Sequence, residues 1–322
     1  MKLTVDCVST GQLFAMPETS VLAYLLSKAS KRLEALPLEA LLCAQSGLLA
    51  APEYPIAAIA AAADALDVGT DYWLRAEPVH LVLQRDSFSL SEPCPLTVAH
   101  EHAQAMIASL NAHFVTDGLK FALGESGAWY LSLTQPPSIN TALPAMAMGK
   151  NIAHFMPQGA DANRWVAYLN EVQMLLHVHA ANAAREAAGE VAINSIWLSG
   201  GGVMPPSLAA NLDCDIDAVV GSGVLYKGLA KHSGLVRHEP LTSLRSVITQ
   251  LAGCAHVRVQ LAHDALLVED NFQVLLEGLK KRTITQLVLN LACYDQTLVA
   301  KIKPLDLYKF WRAAKPMSIY LV

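Results

Sequence analysis

From about residue 160 onward, short apolar runs alternate with helical stretches. That alternation restricts the chain to few architectures. A strand that returns beside itself through a helix builds a parallel sheet with helices on both faces. The pattern predicts helix over 162–187, strand over 193–198 and a loop at Gly200, Gly201 and Gly202. Strand over 217–220 and helix over 223–231 follow. Strands at 257–261 and 265–268, helix at 271–281, strand at 286–290 and a last helix at 305–314 complete it. At the other end, 3–8 reads as a short opening strand, and 17–66 as Leu- and Ala-rich helices punctuated by Pro37, Pro52 and Pro55.

The character changes near Asp71. Short β-type runs at 72–76, 79–83, 88–90, 120–122 and 128–133 surround one helical stretch, 97–114. The expected organisation is a main α/β domain over 1–69 and 136–322, with a smaller α+β domain inserted at 70–135. A chain of 322 residues has room for about two domains and a substantial core.

Composition excludes several classes. Hydrophobic residues make up 53% and charged residues 16%, which is not a disordered composition. The net charge of −5 argues against a nucleic-acid partner and against docking on an anionic membrane. Mean hydropathy is high at +0.33, yet the most apolar stretch, 55–68, is interrupted by Asp64 and Asp67 and falls short of the roughly 20 residues a span needs. With no signal-like N-terminus and six scattered cysteines lacking ligand spacing, the expected setting is the reducing cytoplasm.

The stretch 165–206 is the most suggestive of chemistry. Trp165, Leu169, Val172 and Leu176 form a buried helical stripe, while Asn170, Gln173 and His177 fall on another face, followed by Asn182 and Arg185. The next apolar run contains Asn194 and leads into Ser199, Gly200, Gly201 and Gly202. Ligands of open α/β sheets bind at the carboxyl ends of strands, and glycine N–H groups there can approach an anion. Gly221, Ser222 and Lys227 follow the 217–220 strand in the same way. These eleven residues (Asn170, Asn182, Arg185, Asn194, Ser199, Gly200, Gly201, Gly202, Gly221, Ser222 and Lys227) form the candidate ligand set, with Arg185 as a fork for a carboxylate or phosphate. A solvated helix face and a tight glycine turn are the plain alternatives. The glycines lack the Lys and Ser/Thr of a P-loop.

The runs 169–177, 182–186 and 193–202, with 71–80, 110–114, 129–131, 217–223 and 227–230, together resemble the RpfE-type bacterial regulatory proteins. These are relatives of the archaeal-type cofactor-independent phosphoglycerate mutases. The resemblance covers roughly 65–235. It implies an alkaline-phosphatase-like fold, a parallel sheet between helices with a smaller inserted domain. It also implies that an active relative would carry two divalent metals on Asp and His, with a Ser or Thr nucleophile.

The ligand signatures of such mutases, an early Asp-Gly-x-x-Asp, an Asp-x-x-x-His and an Asp-His pair, do not occur here. The first strand offers Asp6 with Ser9 and Thr10 but no second Asp. His100/His102 and His177/His179 are spaced i, i+2, which points them apart on a helix. His263-Asp264, Glu77/Asp86 and Glu269/Asp270 are the other clusters. The expectation is a regulatory protein on a phosphomutase-like scaffold, with no predicted cofactor. It would bind a small phosphorylated or carboxylate metabolite or a protein partner. The rivals are an active metal-dependent mutase-like enzyme and a purely structural module.

Overall fold

The computed structural model describes residues 1–8, 16–85, 87–206, 216–239, 243–261 and 269–321. Ser9, Thr10, Gly11, Asp86, Cys214, His263, Asp264 and the strand expected at 265–268 lie outside the described residues. The strands, in chain order, are β1 (Lys2–Cys7), β2 (Ser30–Glu34), β3 (Tyr72–Val79), β4 (Leu81–Leu83), β5 (Phe88–Leu90), β6 (Lys120–Leu123) and β7 (Trp129–Leu133). They continue with β8 (Ser195–Val203), β9 (Ala218–Val220), β10 (Val236–His238), β11 (His256–Leu261), β12 (Gln286–Cys293) and β13 (Gln296–Ile302).

The chain divides into two compact units. Unit 1 comprises Met1–Gly47 and Ser207–Val322, and unit 2 is Leu48–Pro206. The division falls at 47/48 and 206/207, whereas the composition shift at Asp71 suggested 69/70 and 135/136.

Unit 1 is a seven-stranded sheet in the order β10-β9-β11-β1-β12-β13-β2. β10 to β12 run parallel, and β13 and β2 add an antiparallel margin. One face of the central strands is aliphatic, with Leu3, Val5 and Cys7 beside Val257, Val259 and Leu261 and beside Leu287, Leu289 and Leu291, all buried. The helices Val21–Lys28, Leu244–Gln250 and Glu269–Lys280 contribute to the same core. Period-two alternation accounts for it, since every second side chain of a strand shares a face.

Unit 2 is built on an antiparallel sheet, β6-β7-β3-β8, with β4 and β5 as a separate hairpin. The helices His100–His113, through Ala103, Met106, Ile107 and Leu110, and Ala162–His177, through Trp165, Leu169, Val172 and Leu176 as their spacing predicted, pack into its core.

Four expectations are corrected. The apolar run at 193–198 belongs to β8, antiparallel to β3, and not to the parallel sheet. All of β8 except Val203 is buried, and an apolar run bounded by glycine does not reveal its direction. The triple glycine is not a loop but the continuation of that strand. The helix expected over 162–187 is two helices, because His179 Nδ1 accepts the Ala181 N–H at 3.1 Å and starts Ala180–Ala187 anew. The helix expected at 305–314 is only a 3₁₀ turn, Pro304–Tyr308. β2 falls within the 17–66 stretch expected to be helical, and the strands β10 and β13 and the helix Leu244–Gln250 went unread. β2, Ser-Lys-Arg-Leu-Glu, carries one apolar residue, and only its pairing with β13 makes it a strand.

Candidate functional site

The parallel sheet of unit 1 has a second face, and it is polar. Thr4 and Asp6 share it with His256, Arg258 and Gln260 of β11 and with Asn290 of β12, all set side by side by the parallel registers. Asp6, Arg258 and Asn290 are buried. Arg258 Nε donates to Asp6 Oδ2 at 2.6 Å and Nη2 to Oδ1 at 3.0 Å, while Asn290 Nδ2 donates to Oδ1 at 2.6 Å. Thr4 Oγ1 and His256 Nε2 lie 2.9 Å apart below them. Gln260 Oε1 accepts the Gly223 N–H at 2.9 Å, at the entry of the helix Val224–His232.

Asp6 also acts on two neighbouring groups, Tyr226 and, on the opposite face of β1, Cys7. Burial pushes the phenol of Tyr226 well above its usual range, and the Asp6 carboxylate adds to the effect while Arg258 opposes it. Burial, with Asp6 second, likewise raises the Cys7 thiol. Both therefore stay protonated at neutral pH, so Cys7 is not a thiolate nucleophile. The arrangement is a neutralised carboxylate held in a fork, a strong charge-assisted geometry.

The two divalent metals implied by the family resemblance would need Asp or His donors with open positions. Around Asp6 the neighbours are instead a guanidinium and an amide N–H, both donors, aimed at the carboxylate oxygens a metal would use. This donor set does not fit a cation. Among the described residues no three His, Cys, Asp or Glu side chains are grouped as a metal site. His179 caps its helix and its Nε2 lies 3.1 Å from Ser109 Oγ, and Glu269 Oε1 accepts the Val21 N–H at 2.6 Å.

The candidate ligand residues divide between the units. Gly221, Ser222 and Lys227 lie in unit 1 and the other eight in unit 2. Within unit 2 their polar groups serve the chain itself. Asn182 Nδ2 donates to the carbonyls of Leu176 and Ile193, each at 2.7 Å, and its Oδ1 accepts the Ile193 N–H at 2.8 Å. Buried Arg185 donates through Nε to Val191 O and through Nη1 to Thr97 O, and Nη1 pairs with Glu190 at 2.9 Å. Asn194 bridges both backbone groups of Leu81. Ser199 Oγ donates to Glu77 Oε2 at 3.2 Å.

The glycines answer to packing. At Gly200, where φ is +65°, an added Cβ would lie 2.9 Å from Ile56 Cβ. At Gly201 it would lie 2.1 Å from the Tyr72 hydroxyl, and at Gly202 2.6 Å from Pro55 Cβ. The helix Ile56–Ala63 thus lies directly against β8. Asn170 is exposed and, with Gln173, Phe155 and Trp197, lines a cavity of about 30 Å³, room for roughly one water.

Arg258, Asn290, Thr4 and His256 were missed from sequence. Their signal was the strict alternation His-Val-Arg-Val-Gln-Leu of β11, which puts three polar side chains on a face that a parallel sheet normally buries.

No protein-family profile matches the chain. It is 25% identical over 141 residues to the 2,3-bisphosphoglycerate-independent phosphoglycerate mutase of Methanosarcina mazei, covering 43% of this chain and 36% of that protein. It is 24% identical over 186 residues to a probable 2,3-bisphosphoglycerate-independent phosphoglycerate mutase of Geobacter sulfurreducens, covering 54% and 45%. The matched stretches thus span less than half the length of these relatives. Among solved structures, the PH0037 protein of Pyrococcus horikoshii superposes over 94% of this chain and 87% of its own, with TM-score 0.51 and 11% identity, which shows a shared fold. The chain is distantly homologous to the cofactor-independent phosphoglycerate mutases.

Proposed function

We propose that this chain is a regulatory relative of the cofactor-independent phosphoglycerate mutases, of the RpfE type, that binds a partner or an anionic metabolite and does not transfer phosphoryl groups. In this reading its parallel sheet keeps the alkaline-phosphatase-like arrangement while the metal chemistry has been replaced. One observation carries it. The buried carboxylate on the central strand, Asp6, is already neutralised by a bidentate guanidinium, Arg258, with Asn290 on the same oxygen as the second donor. Two-metal phosphoryl transfer needs fixed carboxylates bridging ions about 4 Å apart. A carboxylate that already accepts three hydrogen bonds from Arg258 and Asn290 keeps at most one lone pair for such an ion.

The rival reading, an active metal-dependent mutase-like enzyme, draws on the distant homology. The two separate in one experiment. The purified chain is dialysed against Mn²⁺ or Zn²⁺ and then against buffer, analysed for retained metal, and assayed for interconversion of 2- and 3-phosphoglycerate. The proposal expects neither retained metal nor turnover. About two equivalents of retained metal together with turnover would establish the enzyme instead.

A further inference from the structure

Four of the most exposed apolar side chains among the described residues of unit 1 fall in one short stretch of chain, Leu305 to Trp311. Leu305, Tyr308, Phe310 and Trp311 are 72%, 72%, 87% and 69% exposed. Phe310 and Trp311 stand edge to face, with ring centroids 5.2 Å apart. Scattered exposed apolar residues are ordinary, but a contiguous cluster marks an interaction site.

The turn that displays them is held from below. Lys28 is 4% exposed, and its Nζ donates to the carbonyls of Lys309 at 2.9 Å and Arg312 at 2.5 Å. Arg312 Nη1 donates back to Ala29 O at 3.1 Å. Lys309 Nζ pairs with Asp306 at 2.6 Å, and Asp306 also accepts the Lys303 N–H at 2.7 Å. Burying a lysine is costly unless its donors are used. Here two of them fix the backbone on either side of Phe310 and Trp311, so the aromatic tip is presented already ordered.

The same segment is basic within an acidic chain. Residues 301–322 contain Lys301, Lys303, Lys309, Arg312 and Lys315 against the single carboxylate of Asp306, while the whole chain carries −5. Lys31 lies in the same field, its pKa lowered by burial first and then by Arg312 and Lys315.

We propose that this turn is a docking surface for an acidic segment of a partner protein that carries apolar anchor residues. Trp, Tyr and Arg are the residue types that concentrate binding energy at protein interfaces, and all three are displayed here. A pre-ordered display also lowers the entropy cost of association. Charge selects the partner. An extended polyanion, such as a nucleic acid or an anionic bilayer, must also face the surrounding surface of a chain that outside this segment is strongly acidic. A short acidic segment meets only the patch, because charges beyond roughly 8 Å are screened. The inference concerns a surface and stands whether or not the chain turns over phosphoglycerate.

The test is selection from a random peptide display library on the full chain, with parallel selection on the double variant Phe310→Ser/Trp311→Ser. Both side chains are exposed, so the variant keeps its fold, which circular dichroism checks. The expected peptides are rich in Asp and Glu with aromatic or aliphatic residues. Their binding should fall about tenfold or more on the double variant, and should weaken with Lys315→Glu and with added salt. No enrichment, or enriched peptides that bind the double variant equally well, overturns the proposal. So does binding to phosphatidylserine vesicles or single-stranded DNA that the double variant loses in place of peptide binding. Concentration-dependent dimerisation that the double variant abolishes would also overturn it, by assigning the patch to a second copy of the chain.

Discussion

The two units bury their sheets with different materials. Unit 1 packs its parallel sheet mainly with Leu, Val, Ile and Ala, whereas unit 2 packs its antiparallel sheet with Trp129, Trp165, Phe114, Phe121, Tyr72 and Tyr168. Aromatic edge-to-face contacts run through unit 2, as between Phe114 and Tyr168 at 5.6 Å and Trp165 and Tyr168 at 5.7 Å. Polar side chains follow the same division. In unit 1 the buried charges of the central strands, Asp6 and Arg258, are paired with each other across neighbouring strands. In unit 2, Asn182, Arg185 and Asn194 mostly satisfy backbone groups where the chain changes direction. A central parallel strand has no solvent on either face, so a charge there must find its counter-charge on a neighbouring strand. The irregular connections of unit 2 leave N–H and C=O groups that side chains must satisfy.

The difference can be tested unit by unit, because four of the five tryptophans, Trp73, Trp129, Trp165 and Trp197, lie in unit 2. Tryptophan fluorescence therefore reports mainly unit 2, and hydrogen exchange by peptide reports each unit. The largest effect is expected for Arg258→Ala. It leaves Asp6 buried and uncompensated, at a cost of about 3–5 kcal/mol. Exchange protection should fall in β1, β11 and β12 while unit 2 keeps its fluorescence transition. Joint replacement, Asp6→Leu with Arg258→Met, should recover most of the loss. If the double variant is as unstable as Arg258→Ala, the pair does not act by mutual neutralisation.

Next in size is Gly200→Ala. A left-handed backbone costs a non-glycine residue roughly 1–2 kcal/mol, and the contact with Ile56 adds an overpacking cost of about 1–3 kcal/mol. The fluorescence midpoint in urea should drop with the slope unchanged. A neutral substitution would mean that the helix Ile56–Ala63 yields, and that the glycines are not there for close approach. Asn182→Ala should cost unit 2 about 1–3 kcal/mol by leaving the Leu176 and Ile193 backbone groups unsatisfied. Calorimetry with phosphate esters would sharpen this result, because a ligand role predicts lost binding at unchanged stability.

The smallest effect concerns Glu53, whose carboxyl accepts from the Thr141 and Gly201 N–H groups and from the Thr141 hydroxyl. Burial raises its pKa, and those hydrogen bonds only partly offset the rise. An acid raised on folding stabilises most when protonated, below its unfolded value, and loses that contribution as pH climbs through its folded value. Unit 2 should therefore lose a little stability as pH rises from below the ordinary carboxylate range to above it. Glu53→Gln should flatten that slope in fluorescence-monitored melts, and an unchanged slope would assign it to other groups.

Much of the secondary structure was legible in the sequence. Short apolar runs between helical stretches marked β1, β11 and β12, and the stripe Trp165, Leu169, Val172, Leu176 marked the buried side of its helix. What remained hidden depended on partners far away in the chain. Ser30–Glu34 becomes a strand by pairing with β13, and the segment after Tyr308 leaves the helical path where Lys28 holds the carbonyls of Lys309 and Arg312.

By itself, then, the sequence determined most of the strands, the buried stripe of the helix Ala162–His177, and that early-Asp mutase signatures are missing, because these depend on residue type and spacing along the chain. Tertiary structure alone decided that the 193–203 run lies antiparallel in unit 2, that its glycines make room for the helix Ile56–Ala63, and that Asp6 meets Arg258. An apolar run carries no direction, a glycine does not say what approaches it, and a carboxylate in β1 cannot announce a cation 252 residues away. Those outcomes depend on which strands become neighbours, and that is settled only when the whole sheet packs.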